Sequence, residues 1–379
     1  MAISHEMTGQ LDCEPRWDDD WAEELMGKVR ARLTSLLAIA ALSTVSHVYA
    51  QAQWRMASPL PAPAGEIVGT VIGDEWYVLA GLDTRTHRPL GLVYVFDTKA
   101  GSWAQKRAMP QPAHHVMTAA LDGKIYVFGG FINPAGEPEA TNESGWQPVD
   151  SSWVFDPATD TWTPLAPMPT PRGAGWAVAL NGEIYLIGGV QADVRDAPTA
   201  PLSPGSPQRV LGTVEQYDPS TDQWSVRASM PTPRNHLFAA AAGGKIYAIG
   251  GRIGSAQITV AEDTNVVEEY DPARDQWIGK GRAPIRRSGM AGAVADGKIY
   301  VAGGEYQDWE GAKAFWAVQS YDPEKGRWGT LPRMQLAHHG FAAGLIGDTL
   351  HMAGGGFQSD GMPTVNTRTA VHETPQIRP

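Results

Sequence analysis

The chain contains a single cysteine, Cys13. A disulfide framework is therefore excluded, and the core must hold by packing alone. No phosphate-cradling glycine loop and no serine- or cysteine-nucleophile motif occurs, which leaves those reaction classes without a carrier. Positive charge is also short. Thirty Lys and Arg against 41 Asp and Glu give a net charge of -11, and without residues 1–50 (8 acids, 4 bases) the balance is 33 against 26, or -7. Such a surface argues against nucleic acid or an acidic membrane as partner. The apolar run of residues 33–42 is too short to span a bilayer as a stable helix, and Ser43, Thr44, Ser46 and His47 follow it at once.

That run has company that explains it. The basic stretch 28–32 precedes it and the small-residue segment 48–52 follows, which together read as a secretory signal cut near Ala50 or Ala52. The mature protein is expected to be periplasmic or secreted, and no cysteine or apolar span remains to anchor it in a membrane. Residues 1–25, with Asp18, Asp19, Asp20, Glu23 and Glu24, make a poor lead for a signal, so translation is expected to start at Met26. The chain then divides into 1–25, a leader outside the native protein; 26–52, the signal; and 53–379, one folded domain.

What the chain has in quantity is repetition. Six strand endings read EWYVLAG (75–81), KIYVFGG (124–130), EIYLIGG (183–189), KIYAIGG (245–251), KIYVAGG (298–304) and TLHMAGG (349–355), with spacings of 49, 59, 62, 53 and 51 residues. Five are followed by a Tyr/Phe-Asp turn and a lone Trp, at Trp103, Trp162, Trp224, Trp277 and Trp328. The sixth lacks this element, but residues 53–58 (QWRMAS) match 223–228 (QWSVRA) and supply Trp54. The N-terminal strand is therefore expected to complete the last unit and close a ring, which leaves no open flank. Alternating Ile-Tyr-Val runs suit a half-buried pleat, Asp-Pro sets the turn, and each Trp is expected to pack between neighbouring units.

A diglycine at a period near 50 residues resembles the kelch repeat, the four-stranded blade of a β-propeller. The resemblance implies an all-β fold: a six-bladed kelch β-propeller of four-stranded blades. It also implies a ligand site at the channel mouth. Counting back 16 positions from each small pair gives Ala64, Ala113, Arg172, Arg234, Arg287 and His338 at the start of the innermost strands. Two residues on stand Glu66, His115, Ala174, His236, Gly289 and Gly340. The mouth is thus expected to carry an arginine arc and a Glu/His arc. The arginines suit a small anionic ligand, an acidic sugar or a protein segment; alternatively each pairs with an Asp or a backbone carbonyl of a neighbouring blade. Directly after each pair come Leu82, Phe131, Val190, Arg252, Glu305 and Gly356, and Glu305 opens an acidic-aromatic loop with Tyr306 and Trp309. The long loop after Gly189, with Pro198, Pro201, Pro204 and Pro207, reads as a partial lid or as a surface insertion. A metal set of Glu66, His115 and His338 would have to converge from three blades, so no metal and no cofactor is expected.

The secreted six-bladed type is similar to the N-acetylneuraminate epimerase family, mutarotases that equilibrate sialic acid anomers. There a catalytic Glu follows a diglycine, with an Arg six residues later. Gly303-Gly304-Glu305 matches the first element; at the second stands Gly311, with Lys313 nearby, while Arg252 follows the preceding diglycine. Galactose oxidase is also a kelch propeller, but its Tyr-Cys copper centre needs a cysteine that residues 53–379 lack. Two functions therefore stand side by side: a binding propeller with Arg172, Arg234, Arg287, Arg252, His115, His338, Glu66, Phe131, Tyr306 and Trp309 at its site, and a mutarotase with Glu305 as acid/base.

Overall fold

In each repeat the second strand is apolar at consecutive positions, as in Ile184–Ile187 within Glu183–Ile187, and these residues are buried. A strand that alternates in and out would show one wet face; here a neighbouring unit covers each face. The computed structural model describes residues 54–83, 85–134, 145–195, 197–308, 311–359 and 369–377. The expected leader and signal lie outside the described residues, as does Trp309.

The described chain forms six four-stranded antiparallel blades around an axis, and its one helical element is a 3-10 turn at Ile258–Val260. Blade three is representative: Trp176–Leu180, Glu183–Ile187, Val214–Asp218 and Gln223–Arg227 run from the axis outward. Blade six consists of Ala342–Ile346, Thr349–Ala353, His372–Thr374 and, from the other end of the domain, Arg55–Met56. Arg55 pairs with Thr374 and Met56 with Glu373, so the N-terminal strand closes the ring as its sequence predicts.

Two devices join the blades. At the rim, five of the six signature tryptophans reach the preceding blade: the indole Nε1 of Trp103 donates to Ser58 O (2.8 Å), Trp162 to Arg107 O (3.0 Å), Trp224 to Ala166 O (3.1 Å), Trp277 to Ala228 O (2.8 Å) and Trp54 to Pro332 O (3.1 Å). The carboxylates two residues earlier add to this, Asp160 accepting from Arg107 N, Asp222 from Ala166 N and Asp275 from Ala228 N. Nearer the axis, the diglycine is a docking notch for the next blade. Gly188 has φ +66°, and a Cβ there would stand 2.5 Å from Arg234 O. Only glycine accepts both that backbone and that approach. Between blades the facing surfaces form dry clusters, for example Val178, Tyr185 and Ile187 of blade three against Leu237, Ala239 and Ala248 of blade four.

Candidate functional site

The three arginines expected at the mouth turn into their own blades. Arg172 is 0% exposed; it pairs with Glu215 at 2.5 Å and donates to Thr170 O at 3.0 Å. Arg234 is also 0% exposed and pairs with Glu268 at 2.5 Å, donating to Thr232 O and Ala248 O. Arg287 donates to Gly303 O (2.7 Å) and to the Gln319 side chain (2.9 Å), and burial draws its guanidinium down to about 10. His338 takes the same place in blade six, its Nδ1 against Gly354 O (2.8 Å) and its Nε2 3.3 Å from Glu373 Oε1. These side chains act as spokes that tie the entry of blades three to six to the third strand of the same blade. The arginine arc is corrected accordingly: Arg172 and Arg234 find a carboxylate, and Arg287 a carbonyl and the Gln319 amide, inside their own blades instead of at the mouth.

The other ring does reach the axis. Glu66, His115, Ala174, His236, Gly289 and Gly340 have φ between 49° and 61°, the left-handed region. Their backbones are linked around the axis: Ala174 N donates to His115 O, His236 N to Ala174 O, Gly289 N to His236 O, Gly340 N to Gly289 O and Ile67 N to Gly340 O, at 2.7–3.2 Å. From this ring the His115 Nε2 lies 2.9 Å from Glu66 Oε2, and the His115 and His236 rings meet edge to face with centroids 4.7 Å apart. Burial, reinforced by Arg252 and the other histidines, holds His236 well below its ordinary pKa. Among the described residues Glu66, His115 and His236 form the group that could hold a metal, one ligand atom of each lying within 4.8 Å of the others. His338, the histidine expected in such a set, is not among them.

A second polar group joins the first. Glu305 is 1% exposed and ion-paired with Arg252, which also donates to Ser288 Oγ (2.8 Å) and Ala256 O (2.6 Å). His339 bridges the two groups, its Nε2 3.8 Å from Glu305 Oε2 and 3.9 Å from Glu66 Oε1. Burial lifts Asp263 to about 6 even though Arg252 opposes the shift. Tyr306 lies in the hairpin of Lys298–Asp308 and Gly311–Ala314, where its hydroxyl accepts from Arg286 (2.7 Å) and Lys313 sits over its ring.

Phe131 is buried and stacks on Trp146 at 5.4 Å, within a cluster that includes Val190, Leu202 and Ala256. Leu202 N donates to Trp146 O at 2.8 Å. The long loop after Gly189 thus folds over the mouth as an apolar cover instead of standing off as a plain insertion. The axial cavity is about 80 Å³, with Glu66, His115 and His236 on its polar side and Trp176, Met290 and Phe341 on its apolar wall.

Sequence reasoning passed over Asp263, Asn235 and Trp146, and weighed the His338-His339 pair without assigning His339 to the site. For His339 a signal existed: Gly356 follows its diglycine where other blades carry larger residues, and a Cβ there would strike the His339 ring at 2.4 Å. The spokes were signalled too. Where Ala64 and Ala113 replace the arginine, Tyr94 and Trp153 replace the glutamate two residues before the turn aromatic.

Comparison with known proteins agrees with this architecture. Residues 34–229 match the family described as the KLHDC2/KLHL20/DRC7 Kelch-repeats domain, and 233–278 and 286–335 match the Kelch motif. Kelch-like protein terF of Aspergillus terreus is 30% identical over 301 residues, covering 78% of this chain and 61% of that protein. Kelch-like protein 23 of Homo sapiens is 25% identical over 289 residues, 75% of this chain and 45% of that protein. The matched region is thus less than two thirds of either relative's length. A structure titled "Structure of YjhT" superposes with a TM-score of 0.66 at 18% identity, over 83% of this chain and 95% of that one, and shares its fold. The chain belongs to the kelch-repeat family.

Proposed function

We propose that this propeller is a binding module for a small polar molecule, held at the axial mouth by Glu66, His115, His236, His339, Glu305 and Arg252. The observation that carries this is where the blades cease to be alike. Positions that are Gly or Ala in blades three, five and six hold Glu66, His115 and His236 in the others, all in a left-handed backbone that costs a non-glycine residue about 1 kcal/mol or more. Nothing in the blade scaffold asks for charge there. The guest is neutral or cationic: Glu66 and Glu305 outnumber the one guanidinium of the cluster, Arg172 and Arg234 are already ion-paired, and Arg287 is turned into its own blade onto carbonyls and Gln319. The cavity of about 80 Å³ also falls below the ~300 Å³ typical of drug-sized ligands. The secretory signal read in the sequence would place this site outside the cytoplasm.

Mutarotation of an acidic sugar such as N-acetylneuraminate is the second reading. In its favour, Glu305 and His339 lie 3.8 Å apart beside Arg252, a proton acceptor and donor of the kind ring opening needs. A substrate of that size would require the cover at Trp146 and Leu202 to open.

Ligand-observed NMR on the purified chain separates these, using N-acetylneuraminate, a neutral monosaccharide and a small amine, with Glu305→Gln alongside. Saturation transfer to the sugar or the amine that is lost in the variant supports the axial site. Anomer exchange of N-acetylneuraminate that accelerates with the wild type and not with Glu305→Gln would establish the second reading. Binding to none of the three, with capture of peptides instead, would sink both.

A further inference from the structure

We infer that Glu66, His115 and His236 bind one divalent first-row transition-metal ion on the propeller axis. The side chains come from blades one, two and four, and one ligand atom of each already lies within 4.8 Å of the others. An ion bound about 2.1 Å from nitrogen and oxygen needs donors about 3.4 Å apart in tetrahedral geometry, a closure within reach of side-chain rotation. Two imidazoles and one carboxylate select zinc and its first-row neighbours over calcium or magnesium, which prefer all-oxygen shells.

The support around His236 fixes it in the ligating form. Asn235 Nδ2 donates to Ser255 O at 2.9 Å, which sets the amide orientation, so Asn235 Oδ1 faces His236 Nδ1 at 2.5 Å. That oxygen can only accept, hence Nδ1 carries the proton and Nε2 keeps its lone pair. Among the described residues His236 is 93% buried, and its Nε2 has no hydrogen-bond partner. A buried imidazole held by its outer nitrogen, with its inner lone pair left bare, is the arrangement that orients metal-ligating histidines.

His115 can follow. Its Nε2 shares a proton with Glu66 Oε2 at 2.9 Å, and its Nδ1 stands 2.5 Å from His114 Nδ1. For His115 to ligate through Nε2, its single proton must sit on Nδ1, from which it donates to His114 Nδ1; His114 then carries its own proton on Nε2, so both rings stay neutral and only tautomers change. Glu66 has its own allowance: a Cβ on Gly340 would lie 2.4 Å from Glu66 Oε1, so glycine at 340 makes room for the carboxylate. The adjoining cavity of about 80 Å³ has space for about two waters to complete the shell.

The test uses the full chain without an affinity tag, stripped of metal and titrated with Co²⁺, whose visible d–d bands report coordination without any organic ligand. The result is therefore independent of whether the small-molecule reading holds. Saturation at one Co²⁺ per chain, displaced by Zn²⁺, is expected, with affinity about 100-fold weaker in His236→Ala and in the isosteric Glu66→Gln. Melting temperature and circular dichroism check each variant's fold, and Glu66→Gln alone decides if His236→Ala does not fold. No d–d bands on the wild type, or bands that persist unchanged in a folded variant, would overturn the inference.

Discussion

Blades one and four meet the same structural demand with opposite chemistry. In blade four Arg234 ties the entering strand to Glu268 in a fully buried pair. In blade one the same two places are Ala64 and Tyr94, which lie in one apolar cluster with Leu60, Ile67 and Val78. Between these two blades cation and carboxylate are replaced together, so neither charge is left buried without its partner. Such paired substitution within one chain marks a device for stability. The axial histidines and Glu66 show no such compensation from blade to blade, and that marks them for use by a guest.

The sharpest way to break the comparison is Arg234→Ala. It strands Glu268 and is expected to cost about 3–5 kcal/mol in urea unfolding. Adding Glu268→Tyr, which copies blade one, should restore most of that; a double variant no better than the single would mean that the two blades are not equivalent. Blade six offers the next contrast, because imidazoles line its closure: His351 Nδ1 meets His372 Nε2 at 3.0 Å, and His372 Nδ1 donates to Ser58 O at 3.1 Å. Burial lowers both rings from 6.5 to about 4. The unfolded chain then binds protons first as pH falls, so their contribution is complete above about 6.5 and is lost progressively down to about 4, with an upper bound of about 3 kcal/mol per ring. Asp263, raised to about 6 by burial, acts in the opposite sense, since the native state regains stability as pH falls from 6 toward 3.8. Unfolding midpoints at pH 7 and 4.5 should therefore fall with acid and fall less in His351→Phe; an equal drop in that variant would move the acid sensitivity elsewhere. The smallest contrast is at the rim, where Asp222 (φ 54°) stands in blade three and Gly101 (φ 65°) in blade one. Asp222→Gly removes the acceptor of Ala166 N and Tyr217 OH and should cost about 1 kcal/mol, visible as a small shift in calorimetric melting. No shift would leave the Trp224 indole as the working latch of that seam.

The fold was legible because its joints are local: diglycine, Asp-Pro turn and Trp recur at fixed offsets, and residues 53–58 repeat the outer-strand vocabulary of 223–228. The axial positions were legible as positions, since the same count found Glu66, His115 and His236. The Glu/His arc at the mouth was legible too, but not the backbone that makes it. The left-handed conformation that turns these side chains to the axis falls on Glu66 and Ala174 as well as on histidine and glycine, and propensity would not place the first two there. The arginines misled for a related reason: their partners Glu215 and Glu268 lie 43 and 34 residues onward, so an isolated Pro-x-Arg looks free. His339 reaches Glu305 of the preceding blade and, once the ring closes, Glu66 of blade one, and no spacing within one repeat encodes those meetings.

The hydrogen bonds from Ala174 N to His115 O and onward around the axis involve main chain alone. From blade two through blade six to blade one the bore at that level is therefore held by peptide geometry, while the lining is set by side chains, which no two neighbouring blades need share. Along that arc calibre and chemistry are uncoupled: an exchange at 174 or 236 changes what the aperture selects without touching the main-chain links, so new selectivity can be written there without redrawing the frame.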